Sequence, residues 1–346
     1  MSNVIDYDAH HRSSKSKKTG HATPDAVAIL HWLRQQQVIT APYYLHIHQG
    51  RAEIGWQAQA HVCLLNGEED SDWQTALKQL ADQAAAINNK AFGYIGFDAW
   101  DSQQGCAPDG SSTFPLVQFF IPQHRLCVED ALVEYQGPEP RLLDLALQAP
   151  TAPQVQLQAV NADAAYSEQQ LMQAVEAAKQ TLNGALSKVV LSRYLGFDYD
   201  ADLLALFVAY CMRQKYADAV LMDFGTVGAA IASPELLVKV EAGKVAANPL
   251  AGTKKRGSNP AENQRLAKAL LSDRKELAEH TLALVQMMQE LQPHCVPGSL
   301  VVNRLLDVIQ QKEVMHLSSE LSGDLAEDKH CIDAMLALFP SAMVSG

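Results

Sequence analysis

Ala219-Val220-Leu221-Met222-Asp223-Phe224 and Gly228-Ala229-Ala230-Ile231-Ala232-Ser233 are apolar runs of strand length with a short gap between them. They read as neighbouring strands. Downstream, Leu236 to Glu241 reads as another strand, turning at Ala242-Gly243. Asn259-Pro260 opens a helix with a cap residue followed by proline. A second helix starts near Asp273 and runs to about Leu291. Strands follow at 299–303 and 314–317, and Asp333 to Phe339 closes as a helix. Upstream, Leu203 to Cys211 reads as a short helix and Lys188-Val189-Val190-Leu191-Ser192-Arg193 as a strand. Before that, Ser167 and Gln170 form a capping box. Leu171, Val175, Ala178 and Leu182 then share one helical face, and Gly184 sits where a left-handed C-terminal residue belongs. Strands mixed with long helices, without a strict βαβ rhythm, predict an α+β fold with a largely antiparallel sheet.

Residues 26–135 mix strand-like runs with one helix. Ala41 to His48 is aromatic and partly alternating, as a strand should be. Trp73 to Ile87 is rich in Ala, Leu and Gln, which favours a helix. Ala91 to Asp98 is a strand punctuated by Gly93 and Gly96, where close backbone approach is expected. Pro138, Pro140, Pro150 and Pro153 mark a linker. The expected organisation is a flexible arm (1–22), an N-terminal α/β subdomain (23–136), a linker (137–160) and a C-terminal region (161–346). That last region is expected to pack with 23–136 as one globular unit.

Of the 346 residues, 48% are hydrophobic and 19% charged, enough apolar material for a large core. The net charge of -12 argues against generic binding to nucleic acid or anionic membrane. It leaves room for a small anionic substrate held by local cations and a metal. The six cysteines are scattered without a CxxC pair, which predicts reduced thiols rather than zinc or a disulfide framework. No secretory signal and no membrane-length apolar run is apparent, so a soluble cytoplasmic protein is expected.

Four local features could carry chemistry, and each has a plainer reading. Lys188 begins an apolar run. A buried amine can act as a general base, whereas an edge lysine is merely solvated. Glu235, in Ser233-Pro234-Glu235, could be held protonated by desolvation and serve as a general acid, or could be a turn residue facing water. Asn248 to Gly257 offers Gly252, the Thr253 hydroxyl and then Lys254, Lys255 and Arg256. That is an anion-cradle composition without phosphate-loop spacing, or else an exposed basic turn. Glu276 and Glu279 lie one turn apart on a helix and suit Mg²⁺, yet a solvated helix face explains such pairs as well. Asp273 and Glu276 also make a capping pair. His316, in Val314-Met315-His316-Leu317-Ser318-Ser319, could be a structural histidine or line a site.

The order of these motifs is more informative than any one of them. Lys-Val-Val-Leu-Ser-Arg (188–193), Ser-Pro-Glu (233–235), Pro-Leu-Ala-Gly-Thr (249–253), Lys-Glu-x-x-Glu-His (275–280), Met-His-Leu-x-Ser (315–319) and Phe-Pro-x-x-x-x-Ser-Gly (339–346) resemble the chorismate-utilising enzymes. That family includes anthranilate, aminodeoxychorismate, isochorismate and salicylate synthases. The resemblance is close over 160–346 and loose over 26–135, where Gly93-Tyr94-Ile95-Gly96-Phe97-Asp98 carries it. It implies the chorismate-binding fold, with large, mainly antiparallel sheets forming a two-layer core flanked by helices. It also implies roles. Lys188 would activate water for attack at C2 of chorismate, and Glu235 would protonate the departing C4 hydroxyl. Gly252 and Thr253 would bind a substrate carboxylate, with Met343 and Gly346 also at the substrate. Glu276 and Glu279 would hold Mg²⁺, and His316 would assist ring chemistry or pyruvate loss.

Two positions sort the subfamilies. Amine-transferring anthranilate synthases resemble this chain but typically carry Gln at the position of Lys188. The aminodeoxychorismate type often has a nucleophilic Lys at the position of Ala251. This chain therefore resembles the water users, which form isochorismate and, in salicylate synthases, eliminate pyruvate. Thr253 and Phe339-Pro340-Ser341 resemble the salicylate type. Met343 matches neither the Thr of lyase members nor the Ala of isochorismate synthases, and a thioether cannot donate a hydrogen bond. The family pattern continues past Ser345-Gly346 with a further basic residue, a carboxylate-gripping Arg and more metal-binding Glu. Low turnover by this chain alone is therefore expected. The resemblance implies Mg²⁺-dependent conversion of chorismate with water to isochorismate, followed by pyruvate elimination to salicylate; the alternatives are isochorismate formation without the lyase step, amination with a glutaminase subunit, and an inactive truncated or degenerate homologue.

Overall fold

In the computed structural model, the described residues are 15–18, 25–65, 72–99, 114–130, 132–150, 159–164, 167–182, 188–191, 195–199, 202–209, 218–233 and 235–340. In chain order they begin with β1 (Lys15–Lys18), α1 (Ala26–Gln35), β2 (Tyr43–His48), β3 (Arg51–Leu64), α2 (Trp73–Ala86), β4 (Phe92–Ile95), β5 (Val117–Glu129), β6 (Leu132–Gln136) and α3 (Arg141–Ala146). The chain continues through β7 (Ala159–Ala164), α4 (Glu168–Thr181), β8 (Leu195–Tyr199), α5 (Leu203–Ala209), β9 (Asp218–Asp223) and β10 (Gly228–Ser233). The last third holds β11 (Lys239–Glu241), β12 (Lys244–Ala247), β13 (Leu250–Lys255), α6 (Pro260–Leu270), α7 (Arg274–Leu291), β14 (Val301–Gln310), β15 (Val314–Asp324) and α8 (Cys331–Ala337).

Among the described residues every strand pairing is antiparallel. An eight-stranded sheet runs β1-β6-β5-β3-β2-β9-β10, with β4 also on β5. A five-stranded sheet runs β11-β12-β15-β13, with β14 also on β15, and β7 pairs β8. The opening runs, now β9 and β10, pair residue for residue from Asp223↔Gly228 to Asp218↔Ser233. The larger sheet takes strands from both sides of the proline-rich stretch, because β2 is hydrogen-bonded to β9.

Three apolar clusters explain the layering. Val117 and Phe119 of β5, Val245 and Ala247 of β12, and Leu321 of β15 share one core with α2, α7 and α8. The two large sheets therefore bury apolar surface in one common layer. Tyr43 and Leu45 of β2 turn to a second core with Leu30 and Leu33 of α1, Leu143 of α3 and Phe207 of α5. Tyr44, between them, faces the opposite side, where its ring stacks on Phe92 at 3.9 Å. This alternation follows from the period of two along a strand. Fully burying a side chain of this size contributes about 1.5–3 kcal/mol.

Caps set the helix starts as read from sequence. Ser167 and Gln170 form the capping box of α4, Asn259 caps α6 with Pro260 inside it, and the Asp273 side chain accepts from the Lys275 and Glu276 amides at the start of α7.

Several expectations need correction. Lys188 does not begin a strand: residues 188–191 form no ladder, and Val189, Val190 and Leu191 are exposed. An apolar run becomes a strand only with a partner for its backbone groups, and none pairs here among the described residues. The Leu171/Val175/Ala178/Leu182 face of α4 is only half-buried. The strand expected from Leu236 shortens to β11, with Leu236 exposed. β14 and β15 run well beyond the expected spans, because their far ends pair with each other although β14 is largely exposed. Within 1–22, Lys15–Lys18 pairs with β6. Within 137–160, α3 buries Leu142, Leu143 and Ala146.

Candidate active site

β13 is the spine of the site. Its ladder with β15 is irregular between Leu250 and Thr253, so an extra residue is accommodated there. Gly252 occupies that irregularity with φ +83°, a conformation glycine adopts without strain. A Cβ on Gly252 would lie 3.0 Å from the Glu276 carbonyl oxygen and 3.1 Å from Leu317 Cδ1, so α7 packs directly on the strand here.

The next residue, Thr253, makes two contacts. Its amide donates to Glu276 Oε2 at 2.8 Å, and its hydroxyl lies 2.9 Å from His316 Nδ1 across the β13–β15 ladder. Burial lowers the His316 pKa, which keeps the ring neutral near pH 7. One residue before the glycine, the Ala251 carbonyl accepts from buried His280 Nδ1 at 3.0 Å. Nδ1 must carry the proton to donate to a carbonyl, and burial lowers this pKa too. His280 Nε2 is therefore the acceptor for the Ser319 hydroxyl at 2.7 Å. The Leu306 amide in turn donates to Ser319 Oγ at 3.2 Å. His280 thus ties α7 to β13 and to the β14–β15 pair.

At the start of β13, the Leu250 amide donates to Glu235 Oε1 at 3.3 Å. Glu235 lies two residues beyond the end of β10, and the Ser233 hydroxyl accepts from the Glu235 amide at 3.2 Å. Burial pushes the Glu235 carboxyl up to about 7, against the opposing effects of the Leu250 amide and the Lys188 charge. Glu235 is thus a half-buried carboxyl within a hydrogen-bonded turn.

Glu276 and Glu279 lie on the first turns of α7 and both reach the same cation. Lys275 Nζ is 3.0 Å from Glu276 Oε1 and 2.9 Å from Glu279 Oε2. The other Glu279 oxygen lies 3.5 Å from Lys188 Nζ. One positive centre can therefore meet both carboxylates at once, and hard oxygen donors a helical turn apart are the chemistry Mg²⁺ takes. The Lys188 side chain is 20% exposed and interacts electrostatically with Glu235 as well as Glu279.

Lys188, Glu235, Gly252, Thr253, Glu276, Glu279 and His316 are thus linked through one strand and one helix end. Met343 and Gly346 lie outside the described residues. The cations after Thr253 are largely engaged elsewhere: Lys254 lies 3.5 Å from the Asp273 cap, and Arg256 Nη1 donates to the Gln311 carbonyl at 2.6 Å. The anion-cradle reading of this stretch therefore narrows to Gly252 and Thr253. Sequence reasoning missed His280 and Ser319. Their signal was present, since His280 lies one turn after Glu276 and Ser319 ends the Met-His-Leu-x-Ser motif.

A family model described as chorismate binding enzyme matches residues 35–346. Among similar proteins, anthranilate synthase component 1 2 of Haloarcula marismortui is 36% identical over 174 residues, covering 50% of this chain and 32% of the relative. Anthranilate synthase component 1 of Thermococcus kodakarensis is 34% identical over 181 residues, covering 51% and 41%. The chain thus spans less than half the length of these relatives. Among solved structures, anthranilate synthase component I from Streptococcus pneumoniae superposes with a TM-score of 0.76 at 20% identity, covering 95% of this chain and 82% of the other. The menaquinone-specific isochorismate synthase MenF from Escherichia coli gives 0.71 at 17% identity, covering 99% and 76%. Such low identities speak to the fold alone, which is that of these enzymes. Taken with the family match over most of its length, they place the chain: it belongs to the chorismate-binding enzymes.

Proposed function

We propose that the chain converts chorismate with water as nucleophile, giving isochorismate. The observation that carries the reading is Glu235, a half-buried carboxyl pushed up to about 7 by desolvation and facing the charge of Lys188. A group with that pKa still holds a proton near neutrality and can deliver it to a leaving hydroxyl. Lys188 takes a proton from water as the water oxygen bonds to C2 of the ring. The ring double bonds shift, and the C4 hydroxyl departs as water with the proton of Glu235. Gly252 and Thr253 border the place where a substrate carboxylate would sit, and the neutral His316 lines it.

Glu276 and Glu279 would hold Mg²⁺, whose charge would clamp the substrate carboxylate. Loss of pyruvate to give salicylate would follow as a second step, with His316 the described residue best placed to assist it.

The test is chorismate with Mg²⁺ in isotopically labelled water, with chromatographic and mass analysis of products. Labelled oxygen at C2 of isochorismate, or in salicylate, is expected, and Lys188→Ala should lower its formation by about 10²–10⁴-fold. A chain that neither binds nor converts chorismate would overturn the reading. So would unchanged activity in Lys188→Ala. Binding without turnover would favour a non-catalytic homologue.

A second reading has its own support, because relatives at 34–36% identity are named anthranilate synthase component 1. Ammonia would then replace water, supplied by a glutaminase subunit. An aminated product from chorismate plus ammonium would establish it.

A further inference from the structure

His46 and His48 of β2 and Asp218 of β9 form a cluster on the eight-stranded sheet, a different sheet from the one carrying β13. His48 is directly opposite Asp218 in the ladder, and His46 is opposite Val220. The two histidines, two residues apart on one strand, therefore project from the same face. That face also carries Tyr44 and Phe92, and the His46 ring lies 6.2 Å from Phe92.

Both imidazoles converge on one oxygen. His46 Nε2 is 3.0 Å from Asp218 Oδ1, and His48 Nδ1 is 2.7 Å from the same atom. The three ligand atoms all lie within 4.8 Å of one another. Ligands bound at about 2.0–2.1 Å around a tetrahedral ion stand roughly 3.3 Å apart, so small side-chain rotations would seat an ion among them. On the other side of β2, Glu53 stands opposite His46 but is taken by the Tyr44 hydroxyl at 2.5 Å and by Lys90 at 3.1 Å. Asp218 is therefore the carboxylate left to the histidine pair.

The cluster is also accessible. The His46 side chain is 15% exposed, Asp218 27% and His48 45%, so the cluster opens to solvent on the His48 side. A hydrogen bond that merely locks two strands needs one donor. Two imidazoles and a carboxylate with their ligand atoms this close are a donor set that could hold a metal ion.

We propose that His46, His48 and Asp218 bind one divalent transition-metal ion of the zinc class, with solvent completing the coordination. Imidazole nitrogen with a carboxylate favours Zn²⁺, Co²⁺ or Ni²⁺ over the hard Mg²⁺ suited to Glu276 and Glu279. The ion would clamp β2 to β9, and β9 pairs with β10, whose last residue precedes the Glu235 turn.

The test uses the untagged full chain titrated with Co²⁺ in excess Mg²⁺, followed by visible absorption and calorimetry. The wild-type chain should take up an equivalent of Co²⁺ with the intense d–d bands of low coordination number. His48→Ala and Asp218→Asn should each weaken that uptake by at least about tenfold, the scale seen on loss of even an outer-shell partner. Asp218→Asn keeps an oxygen to accept from the imidazoles, so it serves if His48→Ala folds poorly. No uptake by the wild-type chain would overturn the proposal and leave a hydrogen-bonded trio. Unchanged uptake in either variant would overturn it as well, placing the ion elsewhere.

Discussion

Replacing Glu235 with glutamine isolates the buried acid from everything else that titrates. The carboxyl is raised from 4.5 to about 7 by burial. At about 1.4 kcal/mol per pH unit, this linkage amounts to about 3 kcal/mol. The sign follows from the folded state binding the proton more tightly than the unfolded chain. Stability from this group is fully present below pH 4.5 and is given up as pH rises towards 7, where the folded protein must bury a charge. Glutamine keeps an oxygen for the Leu250 amide but carries no charge. Glu235→Gln should therefore match the wild-type chain near pH 4.5 and exceed it by about 3 kcal/mol at pH 8. Urea unfolding of both proteins across that range measures the difference directly and needs no turnover. Parallel stability profiles would refute the buried-acid argument, and with it the assignment of Glu235 as proton donor. In turnover, the same ionisation predicts an activity that falls as pH rises through about 7.

Gly252→Ala places a Cβ at φ +83°, 3.0 Å from the Glu276 carbonyl oxygen, and should cost about 2 kcal/mol in chemical denaturation. His280→Phe leaves the Ala251 carbonyl without its donor and Ser319 without its ring partner. A loss of about 2–3 kcal/mol, seen as a lower urea midpoint with an unchanged slope, is expected. Glu279→Gln removes a charged oxygen from the pair facing Lys275. It should raise the Mg²⁺ concentration for half-maximal chorismate conversion by at least about tenfold, and chelation by EDTA should stop conversion in the unaltered chain.

What the sequence revealed depended on how local the cause was. Ser167, Asn259 and Asp273 act on amides two or three residues away, so their caps could be read directly. The β9–β10 pairing was equally legible, because its two runs are separated only by a tight turn. Lys188 to Leu191 looked like a strand because it is apolar, but periodicity cannot say whether a partner strand exists. β14 was under-read because residues such as Arg304, Asp307 and Gln310 face solvent and carry no core pattern. In the candidate site, motif order located Glu235, Thr253, Glu276 and His316. His280 escaped because its partners, Ala251 and Ser319, lie 29 and 39 residues away along the chain.

The four consecutive residues Leu250 to Thr253 each answer to a different neighbour: the Glu235 carboxyl, the His280 ring, the α7 backbone, and the Glu276–His316 pair. This makes the strand intolerant of changes in length. Adding or deleting one residue there shifts every later partner by a step and reverses which side of the strand it faces. The spacing from Leu250 to Thr253 should therefore stay fixed among homologues. Any engineered change of nucleophile or substrate in this scaffold would have to work through substitution within that frame.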